Sequence, residues 1–168
     1  MTITKVKSTG DKVHIEYEQL SDSGLPDEYS ITCNQKAKPE FYLALNELAK
    51  HVLHICDLPK EYAEDLSVIG VSFSYRDEIM GAVISARKML LDCDSPLFLN
   101  TPHMPEKAYG KTAGNKLLPQ KTVEALDELI QEAEAYVNGD RAQLKLALEG
   151  TKSVPKKLRK QGVELSLA

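Results

Sequence analysis

Two blocks of alternating apolar and polar residues, each followed by an apolar stripe at helical spacing, set the fold class of this chain. In Gly70-Val71-Ser72-Phe73-Ser74-Tyr75, the side chains of Val71, Phe73 and Tyr75 fall on one face of an extended strand and Gly70, Ser72 and Ser74 on the other. A period of two marks a strand with one buried face. Residues 79–90 repeat it, with Met80, Ala82, Ile84 and Ala86 on one side, and the polar tetrad Tyr75-Arg76-Asp77-Glu78 reads as the reversal between the two runs. The spacing therefore predicts a hairpin of 67–76 with 79–90. Earlier, Val13, Ile15 and Tyr17 alternate with Lys12, His14, Glu16 and Glu18. Turn residues Asp22-Ser23-Gly24-Leu25-Pro26 follow, and Tyr29, Ile31 and Cys33 then alternate with Glu28, Ser30 and Thr32. Residues 2–7 add a less regular first strand.

Each block ends in a helix. Pro39 stands where a first helical turn tolerates proline; Phe41, Leu45, Leu48, Val52 and Ile55 recur at helical spacing, and Pro59 closes the run. A second helix spans about Pro119 to Val137, with Val123, Leu126, Ile130, Ala133 and Val137 on its stripe and Asn138-Gly139 at its end. Between the hairpin and that helix, Pro96-Leu97-Phe98-Leu99 reads as a short edge strand, because its leading proline cannot donate to a ladder. Residues 100–116 read as a long polar loop. The order βββ-α-ββ(β)-α, mostly antiparallel, predicts an α+β domain over residues 1–139 with both helices on one face of the sheet. A basic C-terminal helix or tail over 140–168 completes the chain.

Charge divides at nearly the same point. The last 28 of the 168 residues hold seven basic and two acidic side chains, a net of +5; the first 140 hold 14 basic and 23 acidic, a net of −9. An acidic body argues against nucleic-acid binding over its whole surface, and the tail suits a local contact. Lys152, Lys156, Lys157, Arg159 and Lys160 are the candidate anion contacts, with single-stranded DNA as the expected polyanion.

The tail also carries peptide-like segments. Gln143-Leu144-Lys145-Leu146-Ala147 resembles the pentapeptide Gln-Leu-x-Leu-Phe by which bacterial replication and repair proteins dock on the sliding clamp. That resemblance implies that Gln143 sets the register while Leu144 and Leu146 fill an apolar groove. Ala147 stands where the motif has its aromatic anchor. Gln161, Leu165 and Leu167 repeat the theme with one extra spacer residue. An amphipathic last helix folded back on the body accounts for the same leucines.

Catalytic signatures do not emerge. On a helix, His51, His54 and Cys56 diverge too far to share one zinc shell, so the expectation is two surface histidines and a core cysteine. Cys93 lies between Asp92 and Asp94, which disfavours a thiolate. The nine glycines form no phosphate-binding loop, and no nucleophile elbow is present. The reading is a non-enzymatic protein without cofactor or metal. Asn100, His103, Lys107, Tyr109 and Lys111 form a candidate ligand loop, rich in donors for an anion or a nucleotide. Three widely spaced cysteines suit a reducing compartment. No apolar run approaches the ~20 residues of a membrane span, and Met1-Thr-Ile-Thr-Lys lacks the apolar core of a signal peptide. A cytoplasmic protein is expected.

Five segments resemble a group of small uncharacterised proteins of phages and prophages of Gram-positive bacteria. They are Lys38-Pro-Glu-Phe-Tyr42, Gly70-Val-Ser-Phe-Ser-Tyr75, Met80-Gly-Ala82, Asn100-Thr-Pro-His103, and Ala135-Tyr136 with Gly139-Asp-Arg-Ala-Gln143. The similarity covers roughly residues 10–147. It implies a phage origin and proximity to replication or recombination, and it supplies no active site. The functional expectation is a non-catalytic accessory protein of phage DNA metabolism, recruited to the sliding clamp or another replication protein through its C-terminal segment. The alternative is a counter-defence protein that binds a host nucleotide signal or inhibits a host enzyme, using the 100–116 loop and the Ser72/Ser74 face.

Overall fold

A computed structural model describes residues 1–109 and 116–143. Its elements in chain order are β1 (Thr2–Thr9), β2 (Lys12–Leu20), β3 (Pro26–Cys33), α1 (Pro39–Ile55), a short 3-10 helix (Lys60–Glu64), β4 (Leu66–Arg76), β5 (Ile79–Lys88), β6 (Leu97–Asn100), β7 (Met104–Pro105) and α2 (Gln120–Val137). All seven strands join one antiparallel sheet in the order β3-β2-β1-β4-β5-β6, with β7 also on β5. The chain is an α+β protein. Its two strand blocks meet at a single seam, where Val6 of β1 lies opposite Val71 of β4.

The reversal between β4 and β5 has two central residues, Asp77 and Glu78, both with positive φ (51° and 62°). Such a turn matches the right-handed twist of the strands it joins. β4 also carries a bulge between Val68 and Gly70. Its effect is to bury Gly70 and Val71 in succession.

Both helices cover one sheet face, α1 packing on β4 and β5, α2 on β1, and each on the other. Phe41, Leu45, Leu48 and Val52 of α1 and Leu126, Leu129, Ala133 and Tyr136 of α2 meet Ile3, Val6, Ile15, Val71 and Ile84 of the sheet in one core. Each such side chain contributes about 1.5–3 kcal/mol through its removal from water. The opposite face is open. There His14 bridges Thr32 Oγ1 (2.7 Å) and Glu16 Oε1 (2.9 Å), and Lys5 approaches Glu16 at 3.6 Å. The His14 hydrogen bond, with Lys5 assisting, holds the Glu16 carboxyl below its usual range.

Two expectations are corrected here. The sequence reads residues 100–116 as loop, but the first of them remain on the β5 edge. Thr101 N donates to Ile84 O (2.9 Å) while Thr101 Oγ1 accepts from Ile84 N (2.9 Å). Glu106 N then donates to Met80 O, and its carboxylate accepts from Met80 N. The cause is the demand of backbone groups on β5 for partners, which a threonine hydroxyl and a glutamate carboxylate meet where the strand is irregular. The sequence also places His51 on the surface. It is buried between the helices, with Nδ1 2.8 Å from Thr122 Oγ1. The buried face of α1 is wider than its five-residue stripe: Ala44 and His51 lie on the flank that α2 covers, and Leu53 is buried on the other side of the helix.

Burial, assisted by Lys50 and His54 and opposed by Glu47, holds the His51 imidazole below the usual histidine range. As pH falls through about 6.5 the unfolded chain takes up a proton at this site before the folded chain does. Stability is therefore unaffected by His51 above that pH and lost below it. Urea midpoints measured between about pH 8 and about pH 5 should fall in the native chain and fall less in His51→Gln. Equal slopes in the two proteins would assign the pH dependence elsewhere.

Past α2 the chain stays on the body. Asp140 pairs with Lys38, Ala142 N donates to Lys36 O (3.1 Å), and Gln35 Nε2 donates to Ala142 O (3.2 Å). No helix among the described residues is long and apolar enough to cross a membrane.

Candidate functional site

Three of the segments singled out in the sequence meet at one place. Between Thr101 and β7 the chain leaves the β5 ladder for Pro102 and His103, and it rejoins where Met104 lies opposite Ala82. The excursion turns the His103 ring back over Gly81, with Nε2 2.7 Å from Ser74 Oγ on β4. Only glycine permits this seat: a Cβ on residue 81 would stand 2.4 Å from Nε2 and 2.7 Å from Cε1. Ser74, Gly81 and His103 belong to separate strands or links, yet they form one group, with Ser74 and His103 exposed and Gly81 buried beneath the ring. Beside it, Ser85 Oγ donates to Asn100 Oδ1 at 2.6 Å.

His103 also lines a cleft of about 650 Å³ between the C-terminal end of α1, the 102–109 segment and the start of α2. Its polar groups are His54, Asp57, His103, Tyr109 and Lys116; Ile55, Met104 and Leu117 give it apolar walls, with prolines 102, 105 and 119. That volume and mixture fit a small organic ligand. Leu118 N donates to Pro105 O (2.9 Å), tying the approach to α2 onto β7. Pro119 is the N-cap of α2 and no side chain caps that end, so the positive end of the helix dipole lies at the cleft wall. The Arg76 guanidinium stands 4.9 Å from the Tyr109 ring centroid. The cleft thus joins two imidazoles, an ammonium and a phenol to a single carboxylate, so hydrogen-bond donors outnumber fixed negative charge along its wall.

Among the sequence-derived candidates, His103 and Tyr109 line the cleft, while Asn100 is engaged with Ser85 on the open face. Lys107 is exposed and does not line it. Lys111 lies outside the described residues. So do Leu144, Leu146, Gln161, Leu165, Leu167, Lys152, Lys156, Lys157, Arg159 and Lys160. Gln143, the last described residue, is exposed. Sequence reasoning missed His54, Asp57 and Lys116 as site residues. A polar cluster at the C-terminal end of α1 was the available signal, and its relation to residue 116 depends on tertiary packing.

Neighbouring titratable groups behave differently. Burial, together with Asp127, Glu134 and Glu106, pushes the Tyr75 phenol up to about 12, so it stays a donor, to Ile3 O at 3.2 Å. Burial likewise raises the Cys56 thiol, with Asp57 adding to the effect. His51 points into the helix interface while His54 lines the cleft. Among the described residues no three His, Cys, Asp or Glu side chains gather around a common metal position. No family model matches this chain, and no curated protein or solved structure is similar enough to lend it a fold or an activity.

Proposed function

We propose that this is a non-catalytic, cytoplasmic binding protein of phage type whose ligand is a small anionic molecule of the nucleotide class. The observation that carries the reading is the cleft in which His54, His103, Tyr109 and Lys116 converge beside the uncapped end of α2. Tyr109 and the proline walls suit a flat base; Lys116, the imidazoles and the helix end suit its phosphate. Capture of a host nucleotide signal is the biological role that such a site serves.

Calorimetric and thermal-shift titrations with nucleoside mono-, di- and cyclic phosphates should find saturable binding that raises Tm. His103→Ala and Lys116→Ala should each weaken it by about tenfold or more. Gly81→Ala should weaken it too, by pushing the imidazole from its seat while leaving the residue in place. A panel without any stabilising nucleotide, or His103→Ala binding as well as the native chain, would sink the proposal.

A second reading rests on the chain's exit. Ala142 is fixed to Lys36 and Gln35, so Gln143 leaves the body at a defined, exposed point. That placement supports an accessory role in DNA replication or recombination, with the sliding clamp as partner and single-stranded DNA as a salt-sensitive contact. A chain ending at Gln143 separates the two readings: it keeps nucleotide binding under the first, and it loses capture of a replication protein under the second.

A further inference from the structure

The two edges of the sheet are finished differently. β3 closes one side with proline at its head and the exposed carboxylates Asp27 and Glu28 along it, charges that discourage pairing with a further strand. β6 closes the other with Leu97-Phe98-Leu99-Asn100, which has no charged side chain. Large apolar side chains crowd this second edge. Met89, Leu90 and Leu91 in the connection before it, and Leu97 and Phe98 within it, are all exposed, Leu91 at 97% and Phe98 at 64%. No other run of ten described residues exposes as many. Such a concentration marks an interaction surface.

The ladder shows which backbone groups of β6 are free. Thr101 N donates to Ile84 O (2.9 Å), which makes Thr101 and Ile84 a hydrogen-bonded pair. Bonded and non-bonded pairs alternate along an antiparallel ladder. With Leu99 opposite Ala86 and Phe98 opposite Arg87, the amide and carbonyl of Leu99 face β5, and those of Phe98 and Asn100 face outward. Among the described residues no strand takes them up.

We propose that β6 pairs with β6 of a second copy of this chain, antiparallel about a two-fold axis at Phe98, to give a homodimer with one continuous sheet. The strand suits itself in three ways. Phe98 can exchange both of its outward hydrogen bonds with the other copy's Phe98. Asn100 N–H then meets the Pro96 carbonyl across the axis, and Pro96, with no N–H to return, ends the ladder there and leaves the Asn100 carbonyl to water. Leu97 faces Leu99 of the other copy on the helix side of the sheet. In a two-fold pairing, residues near the axis meet their own kind, so a charged strand would be set against itself. This neutral strand is not, although the body around it is acidic.

Sedimentation velocity of the full chain over a wide concentration range tests the pairing. The native chain should pass from monomer to dimer as its concentration rises. Phe98→Lys, which sets like charges against each other at the axis, should weaken self-association by at least about tenfold. Its circular dichroism and melting should stay native, because Phe98 is exposed. Leu43→Lys, at an exposed apolar position on α1, should dimerise like the native chain. A native chain monomeric throughout would overturn the proposal, as would Phe98→Lys dimerising normally. Dimerisation only of a chain ending at Gln143 would also overturn it, since the chain's own C-terminal segment would then cover the edge.

Discussion

Replacing Gly70 with alanine should cost about 3 kcal/mol of stability, read as a lower urea midpoint with an unchanged slope. A Cβ at this position would stand 2.6 Å from the Val6 carbonyl oxygen and 3.3 Å from the Lys7 Cα. Both are backbone atoms of β1, so no flexible side-chain tip can swing aside. Relief requires that β1 draw away from β4 or that the bulge before Gly70 flatten. Either change disturbs the Val6–Val71 pair, and with it the seam joining the two strand blocks. Gly81→Ala is the matched control, because the atoms its Cβ would meet belong to the His103 ring and the Ser74 hydroxyl. That ring is exposed and can rotate away, so Gly81→Ala should cost far less stability. Equal urea midpoints for Gly70→Ala and the native chain would mean that the strands at the seam can separate freely at that point.

This contrast also separates what the sequence reveals from what it hides. The 66–76 and 79–88 strands are legible because alternation is local: each residue's face follows from its neighbours two positions away. The apolar stripes of α1 and α2 are legible for the same reason, at helical spacing. The β1–β4 seam leaves no such mark, since nothing near Val6 points to Val71. His51 is misread because burial on a helix depends on where the other helix lies. Thr101 is hidden differently: its hydroxyl stands in for a backbone group, which no pattern of hydrophobicity encodes. The cleft is the least legible feature. His54, His103 and Lys116 come together only when α1, the β5 edge and the start of α2 are packed, and each residue alone reads as an ordinary polar surface position. Gly81 becomes intelligible only once the ring above it is seen.

Tyr136→Ala should be among the most damaging core truncations, at about 4 kcal/mol, while Tyr136→Phe should cost about 1 kcal/mol. Tyr136 is the largest fully buried side chain among the described residues, and its ring centroid lies 6.2 Å from that of Phe41. Its hydroxyl donates to Gln35 O at 2.5 Å. Burial raises the phenol above its ordinary range, which keeps the proton on the oxygen for that bond. The Arg141 guanidinium covers the ring at 4.4 Å, and Arg141 Nε donates to Tyr136 O (3.1 Å). One side chain therefore ties the last turn of α2 to the first turn of α1, to the β3–α1 link and to the chain's exit. Alanine opens a cavity and frees the exit together; phenylalanine removes one hydrogen bond and keeps the ring on which Arg141 rests. Tryptic cleavage after Arg141 should accordingly be fast in Tyr136→Ala and near native in Tyr136→Phe. If phenylalanine costs as much as alanine, the hydrogen bond to Gln35 rather than packing holds this corner. The placement of Gln143 beside the body would then depend on a single hydroxyl.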